Sequence, residues 1–556
     1  MKKSTLLIAG LLALGSTAMH ADEGMWTLYN LPEAVYEQMV AEGFQLPQAM
    51  LYGAPNAISN SVINFSGYCS GVVVSPNGLV FTNHHCGFSA INAHSTVEHD
   101  YMKNGFYAKT YAEELPNKDL FVSFMKKQED ITARVSKLVA GKNSEQTEAI
   151  IDSLTNHLTD SIKVIDKTLH ISIDPFYEGN KYYATTYQDF PDVRLVFTVP
   201  KSMGKFGGET DNWMWPRQTS DFSVFRIYAD PKTNGPASYS KDNVPYKPAN
   251  WAPVSLEGYK DKDFAMTIGY PGSTNRYLSS YGIQQRRDIN NAVQVQARGI
   301  KLAILKRYMD KSEKTRIQYE DKYVGAANYW KNSMGMNKCI DSIGLIRQKA
   351  EYEAKIQGWL DEKKVKDPSV DVDFAKLSRL YKESNEPALV QAYWRESFWK
   401  VSEFIQRAFD ITRGAIEPQG PENDPKGQYI LFKDNSNDWN LALDKEMTAA
   451  MLKNYAEHVP AQYLPEAYNE IKTKFGNNYK KYVDWLYSKS MLLVKGHKFY
   501  NDEKTLEDPG ILLGVQLVMV YQKVLADYAT KEDAIANEEK KLCEAKVQME
   551  MDMPHY

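Results

Sequence analysis

Cysteine is scarce, with four in 556 residues, too few for a disulfide-built scaffold. No charge of one sign dominates: 66 Lys and Arg face 70 Asp and Glu, and the formal net charge is -4. With no long basic run either, nucleic acid is not an expected partner. No repeat period stands out. Helices of the HExxH type are absent, so no metal is expected, and no cofactor is expected either. Beyond the N-terminus no segment reads as apolar enough to span a bilayer, which needs roughly 20 such residues.

The N-terminus itself is informative. Lys2-Lys3 precede a short apolar stretch, Leu6 to Leu14, and small and polar residues lead to Ala21-Asp22. That pattern predicts a secretory signal peptide over residues 1–21 and an exported mature chain without a lipid anchor. The length suits two to four domains, and a hydrophobic content of 43% with 24% charged residues is ordinary for a globular protein. The 36 Tyr and 10 Trp fit either ordinary packing or a groove that grips peptides. Cys339 and Cys543 lie far apart in helical-looking sequence and are expected as free, buried thiols.

Along the chain, residues 22 to about 60 predict an entry segment with a helix. Val72-Val73-Val74, the turn Ser75-Pro76-Asn77-Gly78, and Leu79-Val80-Phe81-Thr82 predict a hairpin that ends on His84-His85. Helical periodicity follows from Glu145 to Lys167. Strands are expected at 181–187, 193–197, 222–228 and 264–268, the last running into the turn Gly269-Tyr270-Pro271-Gly272. From 280 to 550 the spacing is helical, broken by loops near 417–427 and 508–510.

Chemistry concentrates around the hairpin. A disulfide between Cys69 and Cys86 would clamp it and fix the turn presenting His85, a closure worth ~2–4 kcal/mol. Chymotrypsin-like enzymes place a general-base His directly before such a Cys. A base of this type needs a carboxylate to hold its tautomer, and Asp221, opening the strand Phe222 to Tyr228, fits. His84 is assigned a structural role. Before Asp221 runs a Gly- and Trp-rich loop, 204–217, which could receive a peptide end.

Five segments together resemble the exported serine dipeptidyl-peptidases of Gram-negative bacteria, the dipeptidyl-peptidase 7 and 11 type. They are Asp22-Glu23-Gly24-Met25-Trp26, Leu79 to Gly87, Gly204 to Gly208, Thr210 to Arg217, and Gly269 to Thr274. Asn328-Tyr329-Trp330-Lys331-Asn332-Ser333 extends the likeness, and the wording there is nearer the 7 type. The resemblance implies an α+β multidomain protein: a chymotrypsin-like double β-barrel carrying a large inserted α-helical cap. Residues 22–279 would form the N-terminal part of the peptidase domain and 280–550 the cap. It further implies His85 as general base, Asp221 as its orienting carboxylate, and Asn212, Trp213 and Asn328 as ligands of the substrate's free α-amino group. Oligopeptides with a free N-terminus would be the partners, the periplasm or cell surface the location, and a homodimer is compatible with the family.

Two departures stand out. Gln218 replaces a usual His at a position outside the triad. More seriously, the family's nucleophile lies in Gly-Gly-Asn-Ser-Gly-Ser-Pro, which these 556 residues do not contain; Ser70 and Ser273 lack its surroundings. Residues 551–556 would begin the remaining part of the peptidase domain, leaving the second barrel incomplete. The chain as given is therefore expected to be inactive, with strand edges in 181–270 unpaired and aggregation-prone. Two other readings are an inactive peptide-binding protein that keeps the amino-group clamp, and a metal site built from His84, His85, His94 and His99. The latter lacks ordinary zinc spacing.

Overall fold

A computed structural model describes residues 26–206, 218–363, 367–416, 439–500 and 502–552. It combines one antiparallel sheet with a helical half. The strands are β1 (Val62–Phe65), β2 (Cys69–Val73), β3 (Leu79–Thr82), β4 (Phe106–Tyr107), β5 (Leu115–Pro116), β6 (Val122–Asp130), β7 (Leu169–Phe176), β8 (Lys181–Phe190), β9 (Val193–Thr198), β10 (Ser223–Ala229) and β11 (Val244–Pro245). Their order is β4-β9-β10-β3-β2-β1-β6-β8-β7, with β5 beside β9 and β11 beside β10.

The β2–β3 hairpin forms where the turn sequence requires it. Ser75 Oγ accepts from the amides of Asn77 and Leu79. Gly78 has φ +66°, and a Cβ there would sit 2.9 Å from two carbonyl oxygens, so only glycine fits this close approach. The sheet coils around one apolar core that takes Ile63, Phe65, Val80, Phe124, Phe190, Leu195 and Phe225 from strands along its length. Tyr246 stands between Phe124 and Phe190, at 5.7 and 4.5 Å between ring centroids. β10 is buried on both faces because Tyr228 reaches Glu114 on the far side, OH to Oε2 2.8 Å.

Four expectations are corrected. Residues 264–268 form no strand: the stretch is mostly exposed, and no neighbouring strand completes a ladder with it. The edges in 181–270 are not bare either, since β8, β9 and β10 are each paired on both sides. Cys339 is exposed, while Cys543 is buried as expected. Finally, the helix from Pro509 is long and apolar enough to cross a membrane by composition. Its buried Ile511, Leu513, Leu517 and Val524 are instead part of the helical core, and acidic and basic residues crowd its second half.

The helical half begins at Ser280 and centres on Trp394, which donates to the Leu517 carbonyl at 2.9 Å and stacks on Tyr521. It meets the sheet half at several points, among them the following. The Glu313–Ile343 helix lies on the Phe88–Ala93 helix, with Ser89 Oγ donating to Asp321 at 2.7 Å and Asn92 to the Ile317 carbonyl at 3.2 Å. Ion pairs Lys201–Glu320 and Arg316–Asp100 reinforce this contact. On the other side, the β7–β8 turn reaches the C-terminal helix, where Asn180 donates to the Lys540 carbonyl at 3.1 Å.

Candidate active site

β3 ends at Thr82, and the chain then turns through Asn83-His84-His85-Cys86 into the Phe88–Ala93 helix, with the Asn83 carbonyl accepting from the amides of Cys86 and Gly87. His84 and His85 therefore sit in a turn, not on a strand, and their side chains leave in different directions for that reason. Cys86 is bonded to Cys69 on β2, tying this turn to the first strand of the hairpin.

Asp221 arrives two residues before β10, whose Ser223 pairs with Thr82. Its carboxylate meets His85 twice: Oδ2 is 2.8 Å from Nδ1, and Oδ1 accepts the His85 backbone N–H at 3.1 Å. Asn83 adds a third donor to Oδ2 at 3.2 Å, and Ser223 Oγ holds the Asn83 carbonyl at 3.0 Å. Asp221's side chain is 7% exposed and that of His85 47%. A sheltered carboxylate thus fixes an open imidazole with Nδ1 occupied and Nε2 available, the arrangement a general base requires. Asn83 and Ser223 were not singled out in the sequence; the available signal was only their adjacency to the two motif residues.

His84 is the opposite case. It is 1% exposed, bonded to the Val199 carbonyl, and burial drives its pKa down to about 4. Its ring lies edge-on to Phe88 and directly under Gly204. His84 is thus a neutral spacer between the His85 turn and the chain leading into the 204–217 loop. Asn212 and Trp213 on that loop lie outside the described residues.

Asn328 belongs to the Glu313–Ile343 helix. It stands seven residues after Asp321, two turns along the same helix face. That face contacts the Phe88–Ala93 helix, which follows the His85 turn, through Ile317 and Asp321, and Val324 packs against the sheet core; Asn328 lies farther along the same helix. Asp321 also pushes up the pKa of Tyr68, after burial as the larger cause. Tyr68 donates to the Cys86 carbonyl at 3.2 Å. Asp321 too went unread in the sequence, where only its spacing from Asn328 pointed to it.

Ser70 Oγ accepts the Tyr270 amide at 2.7 Å, which commits it to the Gly269–Gly272 turn. Among the described residues the one cluster with metal-ligand geometry is Cys69, His85 and Cys86. Its sulfurs are joined to each other and offer no thiolate. The other histidines of the metal reading are engaged separately: His94 with Asn117 at 3.1 Å, and His99 stacked on Tyr101.

Comparison with known proteins adds an independent line. A family model described as Peptidase S46 matches residues 21–556. The chain is 40% identical over 502 residues to a Dipeptidyl-peptidase 7 of Porphyromonas endodontalis, covering 88% of this chain and 60% of that protein. It is 38% identical over 537 residues to the Dipeptidyl-peptidase 7 of Porphyromonas gingivalis, covering 94% and 74%. The chain thus spans about 60 to 74% of these relatives' length. In structure it is similar to Porphyromonas endodontalis DPP11 crystallised with the dipeptide Arg-Glu, with a TM-score of 0.83 at 30% identity over 95% of this chain and 78% of that one.

Proposed function

The chain belongs to the peptidase S46 family, and on that premise we propose that it carries the general base and amino-terminus clamp of a serine-type dipeptidyl-peptidase. The observation that carries this reading is the doubly held His85–Asp221 pair, 2.8 Å from Nδ1 to Oδ2. In the reaction, a serine hydroxyl would pass its proton to His85 Nε2 as it attacks the peptide carbonyl. Asp221 would stabilise the imidazolium that results and later let it protonate the leaving amine.

Asn328 would accept hydrogen bonds from the substrate's α-ammonium, with Asn212 and Trp213 completing the clamp. A fixed distance from clamp to His85 turns the ammonium into a ruler, and about two extended residues fit within ~7 Å. Under this reading residues 22–279 form part of a chymotrypsin-like double barrel, residues 280–550 its cap, and the chain is exported to the periplasm or cell surface.

The nucleophile's motif is absent from the 556 residues, so this chain by itself would bind peptides without cleaving them. A second reading is a peptide-binding protein with no catalytic activity. Dipeptidyl-coumarin hydrolysis by a chain extended to include such a serine would separate the two. Calorimetric titration tests the clamp: a dipeptide should bind, and its N-acetylated form should bind at least tenfold more weakly. Equal affinity for both would overturn the reading.

A further inference from the structure

Two buried carboxylates, one from each half, anchor a charge cluster where the Glu313–Ile343 helix meets the sheet half. Glu320, on that helix, has a side chain only 1% exposed and is paired with Lys201 of the sheet half. Arg316, four residues earlier on the helix, also reaches Glu320, Nη1 to Oε2 3.2 Å. Arg316 continues to Asp100 of the sheet half, whose side chain is 5% exposed. Asp100 in turn accepts the Lys103 amide at 3.0 Å and so caps the short Tyr101–Asn104 helix. At the rim, Glu313 pairs with Arg316 at 3.1 Å and with Lys103 at 3.7 Å. Lys103, Lys201 and Arg316 thus balance Asp100, Glu313 and Glu320 across the contact.

Lys201 is no isolated surface cation. It opens the Lys201–Gly204 helix, and that helix touches the neighbours of both His85 and Asp221. Gly204 lies directly over the ring of His84, one residue before His85. The Met203 carbonyl accepts the Ser220 amide at 2.9 Å and the Thr219 hydroxyl at 3.0 Å, immediately before Asp221. On the other side, Glu320 stands eight residues before Asn328 on one continuous helix, about 12 Å at 1.5 Å per residue. The Lys201–Glu320 pair therefore joins the helix that carries Asn328 to the short helix on which the His85–Asp221 pair rests.

We propose that Lys201 and Glu320 are positioning residues that set the separation between Asn328 and His85, and with it the length of peptide end admitted between them. The consequence for peptides rests on the proposed function. Buried ion pairs add little net stability, because desolvation offsets much of their attraction, and their best-attested use is to fix register. Apolar contact alone would let the helix slide along the sheet half at small cost. Glu320 displaced from Lys201 instead leaves a buried charge short of a partner. Movement the other way is blocked by contact, since even a Cβ on residue 204 would stand 2.5 Å from His84 Cγ. The short helix is thus held from both sides, by charge toward Glu320 and by packing toward His84.

Lys201→Met removes the charge and keeps a stem of similar length, while Lys201→Arg keeps the charge. Spin labels read the separation of the halves without any peptide. One sits on Cys339, exposed on the Glu313–Ile343 helix, and one on Lys127→Cys, exposed on β6; Cys543 is buried. Lys201→Met should widen that distance distribution at least twofold, and Lys201→Arg should restore the wild-type width. In calorimetry with Val-Phe and N-acetyl-Val-Phe, Lys201→Met should lose at least fivefold of the preference for the free amine, and Lys201→Arg should regain it. An unchanged distribution in Lys201→Met overturns the proposal, whatever the chain binds. A widened distribution with the wild-type preference intact overturns the link to peptide length. No preference in the wild type sinks the proposed function instead, and the label distances still decide the joint. If Lys201→Met does not fold, Glu320→Gln is put to the same two measurements with the same expected losses.

Discussion

Gly204→Ala is the most stringent probe of the packing that sets His85 in place. A Cβ on residue 204 would stand 2.5 Å from His84 Cγ, 2.6 Å from Cδ2 and 2.8 Å from Nδ1. Carbon pairs rest at about 3.5–4.0 Å, so roughly 1 Å of movement is needed. The imidazole cannot supply it cheaply, since it is bonded to the Val199 carbonyl and backed by Phe88. Overpacking of this kind costs about 1–3 kcal/mol. His84→Ala alone should cost about 3 kcal/mol, from the cavity it leaves. In the double variant the new methyl enters the vacated space, so the two losses should not add. A double-mutant cycle on urea midpoints should give a favourable coupling of about 1–2 kcal/mol. A Gly204→Ala loss below ~0.5 kcal/mol, or simple additivity, would refute the packing argument.

Three further outcomes follow from the same contacts. Replacing Cys69 and Cys86 together by Ala opens a loop with a sequence separation of 17, and chain-entropy arguments put the loss at about 3 kcal/mol, measurable as a lower urea midpoint. His84 titrates near pH 6.5 when unfolded and about 4 when folded. Between those values the unfolded chain holds the extra proton, so stability is full above pH 6.5 and falls toward pH 4 by about 3 kcal/mol. His84→Phe should flatten that acid limb in pH-dependent denaturation. For the clamp, Asn328→Ala should weaken dipeptide binding about tenfold, one uncompensated hydrogen bond to a charge; unchanged affinity by calorimetry counts against its role.

The local patterns were legible because they depend on neighbours in sequence. Ser75-Pro76-Asn77-Gly78 specifies a turn that only Gly78 can close, and the helix expected at 145–167 appears as Ser144–Lys163, capped by Asn143 and Gln146. The 264–268 stretch was misread for the converse reason. Its β-branched and aromatic composition suits a strand, but a strand exists only where a partner supplies its hydrogen bonds. Cys339, likewise, lies on a helix whose spacing alone does not say which face meets a neighbour.

By itself the sequence determined which residues can do acid–base chemistry and roughly where they stand: His85 beside a clampable cysteine, and Asp221 at the head of an apolar strand. Only the tertiary structure decided that these residues, 136 apart in the chain, share two hydrogen bonds. It also decided that His84 is buried and neutral while its neighbour is open, and that Asp321 reaches across to Ser89 of the sheet half. The physical reason is that burial and long-range pairing depend on how β3, β10 and the helices come together in space. Residue spacing carries the period of each element but not the identity of what packs against it.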